Sequence, residues 1–434
     1  MIRGWGRAAA ERARHTRVMP RPEREHVRQR RLGATDVSRR HVLRVGAGLA
    51  AGGLVGCTPG APDDGSPTAA GTPDAGRGPR PSTPGGTAGP TSTSRPRPSA
   101  SPTAPAGPPD PRVDGTVVDD LDVPWGLAFF ANGDALVSER DRARLLRVTP
   151  KGEVTRLGEV AGVAPATGIG EGGLLGIALA PGDEDTVFAY LTTRSDNRLV
   201  RLSIRGGRVA RPKALLTGIP VSAHHHGGRL LFAPDGNLFV SVGDAEDSAL
   251  AQQQGSLAGK ILRVRPDGRA ASGNPFGNRT WSYGHRNVEG LALDASGRLW
   301  ATEFGDKRSD ELNRIVRGRN YGWPRVEGRS GSGGSRDAYA DPAATWSPTS
   351  SCSPAGLAIT RSTAFVGALQ GRCLFSVALD GTDAARPRAH FAGDHGRIRN
   401  VAVARDGSLW MTTSNTDGRR APGEDDDKIL RVTL

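Results

Sequence analysis

The chain has 434 residues, with 58 Lys and Arg against 45 Asp and Glu, for a formal net charge of +13. Such a charge invites a nucleic-acid partner, but its placement excludes one. Residues 1–56 hold 13 Arg and 4 acids, and the remainder carries 45 basic and 41 acidic side chains, so the basicity belongs to a leading segment.

That leading segment has its own logic. Ser38-Arg39-Arg40 with His41-Val42-Leu43-Arg44 forms a twin-arginine pattern, a Gly/Ala-rich apolar run covers 45–55, and Leu54-Val55-Gly56-Cys57 has the form of a bacterial lipobox. The run is too short and too glycine-rich to span a membrane. Residues 1–57 therefore read as an export signal, with Cys57 as the lipidated new N-terminus and the folded body anchored to the outer face of the cell membrane through that lipid alone. An ordinary cleaved signal with a chance cysteine is the alternative. Residues 58–111 are dominated by Pro, Ser, Thr, Gly and Ala. They cannot bury enough apolar surface to offset their ordering entropy, so an extended, disordered stalk is expected. With Cys57 assigned to lipid, Cys352 and Cys373 remain as an even pair in an oxidising compartment. A disulfide is the natural expectation, and two buried thiols are the alternative.

From Arg112 the composition changes to short runs of Val, Leu, Ile and aromatics between turns containing Gly, Asp and Pro, with no sustained helical period. One phrase recurs, a Gly-containing turn followed by an apolar strand. Clear copies lie at 131–138, 233–241, 294–302 and 404–412, and degenerate ones at 180–190 and 359–366. A β repeat of this long period predicts an all-β, six-bladed β-propeller over 112–434, each unit a blade of four strands. A pair of sandwiches would leave the repeated phrase unexplained.

Candidate chemistry gathers in several loops. His224-His225-His226 precedes a strand, and Gly243-Asp244 ends the next, so a hairpin can bring Asp244 to an imidazole as the orienter of a general base. Successive side chains on extended backbone point opposite ways, which disfavours three neighbouring histidines on one ion. Glu171 lies in a glycine-rich bend that lacks the Lys-Ser/Thr of a nucleotide cradle. Arg397 and Arg399 place two guanidiniums on one side of an extended segment, suited to carboxylates. Residues 424–427 are acidic and read as a solvated loop, with calcium as a second choice. The stretch 281–324 concentrates charged residues, glycines and tryptophans beyond what a core needs.

Taken together, Val123-Pro124-Trp125-Gly126, Glu171-Gly172-Gly173-Leu174, His225 with Arg229 and Asp244, Gly284-His285-Arg286-Asn287, Asp310-Glu311, Asn320-Tyr321-Gly322-Trp323-Pro324 and the Arg397, Arg399 pair resemble the glucose/sorbosone dehydrogenase family, which holds the soluble quinoprotein glucose and aldose sugar dehydrogenases. The resemblance covers the whole folded body. It implies a propeller that binds pyrroloquinoline quinone and calcium and oxidises the anomeric hydroxyl of an aldose to a lactone. By the same resemblance His225 is the base, Asp244 orients it, and Arg286 lies near the quinone oxygen with Asn287 beside it. Arg397 and Arg399 hold the cofactor carboxylates, the carbonyls of Gly305 and Asp306 ligate the cofactor calcium, and Glu311 and Tyr321 match ligands of a second calcium.

Departures from the family pattern sit at Glu171, where the glucose enzyme has Gln, at Gln370, where it has a cofactor-binding Lys, and at Phe304 and Asp306. They bear on cofactor affinity. They also keep open a second reading, an exported, non-catalytic propeller that binds cell-wall sugar or a protein partner. A calcium-dependent lactonase-type hydrolase is a third; it requires an acidic and Asn cluster in the central channel that the sequence does not clearly carry.

Overall fold

The computed structural model describes residues 109–165, 170–330 and 338–434. The expected signal, Cys57 and all but the last residues of the expected stalk lie outside the described residues. Everything described is β-structure and turns apart from two short 3-10 segments, Ser248–Gln252 and Thr349–Ser351.

Six antiparallel sheets follow one another along the chain. Their innermost strands are Pro124–Phe129, Leu174–Ala180, Gly227–Phe232, Asn287–Leu293, Pro354–Thr360 and Ile398–Val403. Each packs against the innermost strand of the next blade, and the sixth returns to the first. The ring is closed by the chain's first described strand, Arg112–Val118, which pairs antiparallel with the last, Ile429–Thr433, inside the sixth blade. Closure of this kind buries the sheet faces that the end blades of a linear array would leave exposed, and each blade keeps only a short outer edge. The apolar side chains sort into six buried clusters, and each joins adjacent blades. One cluster, for example, packs Phe239 and Ile261 of the third blade against Val288, Leu299 and Ala301 of the fourth.

The recurring phrase has a structural meaning at its last residue. Ser138, Ser241, Thr302 and Thr412 end the four clear copies, each on the second strand of its blade. Each hydroxyl donates to a carbonyl on the innermost strand of the next blade: Ser138 to Leu175 (2.6 Å), Ser241 to Val288 (2.8 Å), Thr302 to Ala355 (2.6 Å) and Thr412 to Pro124 (3.1 Å). The two serine hydroxyls also accept an amide from their own innermost strand, Gly126 N and Arg229 N, both at 2.8 Å. Those amides are available because the register between first and second strand shifts in all six blades, as a β-bulge does. In the degenerate second copy, Tyr190 crosses the seam instead, its hydroxyl 3.1 Å from the carbonyl of His226. At the seam between the fifth and sixth blades Gly367 lets the backbones approach directly; a Cβ there would stand 2.9 Å from the carbonyl oxygen of Ile398.

The cysteine expectation is corrected. Cys352 and Cys373 are free thiols, both buried. They sit in the apolar cluster between the fourth and fifth blades, and burial pushes the Cys373 thiol up to about 12. In that setting each behaves as a small neutral hydrophobe.

Ser241 offers a direct test of the seam. Ser241→Ala leaves the buried Arg229 amide and Val288 carbonyl without their partner, so unfolding in urea should show a loss of about 1–3 kcal/mol. A change within 0.5 kcal/mol, as for an ordinary surface substitution, would show that the hydroxyl does not join the blades.

Candidate active site

Because the six innermost strands run in the same direction, the loops that precede them gather around the propeller axis on one face. His224, His225 and His226 occupy the loop before the third of these strands. Arg286 precedes the fourth, and Arg397 the sixth.

The three histidines are separated in chemistry as the alternation rule expects. His224, half-buried, has Nδ1 3.0 Å from Glu246 Oε1. His226 is buried, its Nδ1 3.1 Å from Asn197 Oδ1, and burial pushes its imidazole down to about 4, so it is neutral near pH 7. His225 has Nδ1 2.7 Å from Asp244 Oδ1. A carboxylate can only accept, so Nδ1 carries the proton, and in the neutral ring Nε2 is the nitrogen that holds the lone pair. His225 adopts a left-handed backbone conformation, with φ 61°. This turn requires glycine at 243, where a Cβ would lie 1.9 Å from the His225 carbonyl oxygen.

Asp244 is held on every side. Oδ1 also accepts the Glu246 amide at 2.9 Å, Oδ2 accepts the indole N–H of Trp323 at 2.7 Å, and its own amide donates to the Arg286 carbonyl at 2.8 Å. Trp323 was not assigned a role of its own by sequence reasoning. Its signal was the density of the 281–324 stretch, whose end comes back onto the third blade. The same indole carries the Arg286 guanidinium over its ring, 5.4 Å from the centroid, a cation–π distance. Arg286 also reaches Asp306 Oδ1 at 3.3 Å, and its Nε is buried with no partner among the described residues. Behind this wall Lys260 is fully buried and donates to the carbonyls of Leu250, Ala251 and Ala258 at 2.9, 3.1 and 2.7 Å. Burial pushes its ammonium down to about 7.

Arg397 and Arg399 meet as expected, but they are not free. Arg397 Nη2 lies 2.9 Å and Arg399 Nη2 4.0 Å from Asp417 Oδ2, and Arg399 Nη1 pairs with Glu289. Burial alone would raise the Asp417 carboxyl, but the two guanidiniums outweigh it and hold it below the usual carboxylate range. Asn287 is engaged too: its Oδ1 accepts the Gly227 amide at 2.9 Å and its Nδ2 donates to Glu289 Oε1 at 3.2 Å. Glu171 pairs with Arg419 Nη2 at 2.5 Å across the second and sixth blades. Burial would raise its carboxyl, and Arg419 and Arg399 bring it lower instead. Glu289, Asp417 and Arg419 were all missed in the sequence: Glu289 and Arg419 are recognisable only by the partner another blade supplies, and Asp417 only by Arg397, 20 residues away in its own blade.

Gln370 is exposed, and its side chain makes no hydrogen bond among the described residues. The 305–309 loop is drawn around Glu327, whose Oε1 accepts the amides of Asp306, Lys307, Arg308 and Ser309 at 2.8, 2.9, 2.7 and 3.1 Å. The Tyr321 hydroxyl donates to the Arg314 carbonyl at 2.6 Å and accepts the Val316 amide at 2.8 Å, so the phenol is not placed as a metal ligand. Glu311 accepts from Asn313 Nδ2 at 2.8 Å and the Gly328 amide at 2.7 Å, and burial together with Glu303 pushes its carboxyl up. Among the described residues no group of three or more His, Cys, Asp or Glu could hold a metal ion.

The His–Asp pair, the Arg286–Trp323 contact and the Arg pair lie in the positions that the sequence resemblance to the sugar dehydrogenases singles out, and the family comparison agrees. The chain belongs to the glucose/sorbosone dehydrogenase family, whose model matches residues 121–430. Among solved structures it is similar to the PQQ-bound form of the aldose sugar dehydrogenase from Streptomyces coelicolor, with 47% identity, a TM-score of 0.71 and coverage of 76% of this chain and 99% of that one. It is also similar to the aldose sugar dehydrogenase of Escherichia coli, 28% identical over 69% of this chain and 89% of that protein, and to quinoprotein glucose dehydrogenase B of Acinetobacter calcoaceticus, 30% identical over 49% and 52%.

Trp323→Phe keeps the ring under Arg286 and removes only the N–H given to Asp244. A hydrogen bond to a charged group is worth about 1.5–3 kcal/mol, and the variant should lose stability of that order on urea unfolding. Unchanged stability would mean that Asp244 is not anchored through the indole.

Proposed function

We propose that the protein oxidises an aldose at its anomeric hydroxyl to the lactone, with pyrroloquinoline quinone as the bound cofactor. The observation that carries the reading is the His225–Asp244–Trp323 chain, in which Nδ1 of the imidazole is committed to Asp244 and Nε2 is the ring nitrogen left to take a proton. The residues suit an anionic, oxygen-rich cofactor on a structural ground: Arg286 Nε and Arg399 Nε are buried donors without acceptors among the described residues, and unmet buried donors favour a ligand that accepts. When bound, the quinone supplies a two-electron acceptor for the hydride of the sugar carbon.

The chain's own groups do the rest. His225 Nε2 takes the hydroxyl proton as a general base. Asp244 keeps the ring in the required tautomer and stabilises the imidazolium that forms. Arg286 supplies positive charge held in place by the Trp323 ring and Asp306, where charge developing on an acceptor oxygen would need it. Arg397 and Arg399 are the residues that would hold carboxylates, in the bidentate manner that suits guanidinium. Calcium belongs to the same proposal. The carbonyls of Gly305 and Asp306 are the residues that would hold it, and a calcium ion needs six to eight oxygens. The side chains alone make no metal cage among the described residues, so the other oxygens would come from further carbonyls, water or the cofactor. Export by the 1–57 signal and anchoring through Cys57 complete the proposal and would place the reaction outside the cell membrane.

The test is reconstitution with pyrroloquinoline quinone and calcium, followed by rapid mixing with aldose. His225→Ala should retain the cofactor with little change in Kd and slow sugar oxidation by about 10²–10⁴-fold, the usual contribution of a general base. Oxidation as fast as in the parent protein would remove His225 from the mechanism. A parent protein that binds no quinone would favour the sugar-binding or partner-binding reading.

A further inference from the structure

The Arg pair that the proposed function gives to the cofactor is already neutralised by the protein. Glu289 lies two residues beyond Asn287 on the innermost strand of the fourth blade, at the register shift between Val288 and Gly290, and its carboxylate meets the Asn287 side chain. It is buried, at 6% exposure. One carboxylate oxygen pairs with Arg399 Nη1 and the other accepts Asn287 Nδ2. Behind it, Arg229 Nε donates to the Glu289 carbonyl at 2.8 Å. On the other side Asp417 takes Arg397 at 2.9 Å and stands 4.0 Å from Arg399. Two guanidiniums and two carboxylates thus close into an uncharged quartet drawn from the fourth and sixth blades. Arg399 Nε alone in this group remains a buried donor without a partner among the described residues.

This arrangement has an electrostatic consequence. A ligand bearing several carboxylates approaches a site where Arg397 and Arg399 are both already matched, so it must share Arg399 with Glu289 in a poorly screened interior. Asp417 is needed to hold both guanidiniums together. Glu289 touches only one of them and could be made neutral without changing its shape.

We propose that Glu289 is a positioning residue that holds Arg399 toward the axis and, by cancelling its charge, sets how tightly the site binds a polycarboxylate. The inference rests on the quinone reading for the ligand's identity, but not for its chemistry. Glu289→Gln keeps the volume and an oxygen acceptor while removing one negative charge.

The experiment measures Kd by calorimetry for pyrroloquinoline quinone, for its trimethyl ester and for pyridine-2,4,6-tricarboxylate, over a series of salt concentrations, in the parent protein and in Glu289→Gln. The parent should show a weak salt dependence for the two acids. Glu289→Gln should bind both about tenfold more tightly, a modest share of the interaction of one unit charge at close range. Its salt dependence should be steeper, and its affinity for the ester should not change. A purely structural role for Glu289 would weaken all three ligands together. That result, a steep salt dependence in the parent, or no gain by either acid would overturn the proposal. Should the variant not fold, the parent's salt dependence decides alone: a weak one supports the quartet and a steep one refutes it. If the tricarboxylate behaves as described while neither protein takes the quinone, the role of Glu289 stands and the cofactor reading falls.

Discussion

The hydroxyl near the end of the second strand in four of the six blades is the contact on which the rest of the architecture depends. A propeller blade is a twisted sheet whose innermost strand faces its neighbours' backbones, and those backbones carry polar groups that water cannot reach. Ser138, Ser241, Thr302 and Thr412 answer this by bonding carbonyls of the following blade. Glycine at the inner positions then allows the strands to close up; a Cβ at Gly176 would lie 2.1 Å from the carbonyl oxygen of Gly228, and one at Gly290 2.5 Å from that of Ala355. The bulge that frees the inner-strand amide and the hydroxyl that takes it are two parts of one device.

The site inherits its precision from that device. Ser241 ties the strand that follows His225 and His226 to the strand that follows Arg286, because it bonds Arg229 N and Val288 O at once. Asn287 bridges the same two strands through the Gly227 amide. The distance between the imidazole of one blade and the guanidinium of the next is therefore fixed by backbone, and the loops above have only to orient side chains. Asp244 is the hinge of that orientation. It takes a ring N–H from His225, an amide from Glu246 and an indole N–H from Trp323, so little freedom is left to it. Preorganisation of this kind is what a general base and an electrostatic stabiliser both need.

Much of this was legible in the sequence, for reasons that differ between fold and site. The propeller could be read because its repeat is local: a glycine turn and the strand beyond it lie within nine residues. The same phrase contained the seam hydroxyls, but a Ser or Thr at a strand end is too common to announce a contact with the next blade. Asp244 was found because a hairpin brings it to His225 at short range in the chain. Glu289, Asp417 and Arg419 were not found, since their partners are 110, 20 and 248 residues away, and only closure of the ring brings the first and last of these pairs together. The cysteines misled for another reason. Counting an even pair in a chain expected to be exported predicts a bridge, whereas the cluster that holds Cys352 and Cys373 packs them as neutral thiols.

The central claim is that this face of the propeller removes a hydride from the anomeric carbon of an aldose while His225 removes the hydroxyl proton. The most direct measurement is the single-turnover rate of sugar oxidation by the quinone-loaded protein, comparing an aldose with hydrogen at the anomeric carbon and the same aldose with deuterium there. The account predicts that the deuterated sugar reacts more slowly, because breaking that C–H bond is part of the step His225 assists. Equal rates for the two sugars in a turnover limited by chemistry, or no oxidation of either by the loaded protein, would contradict it.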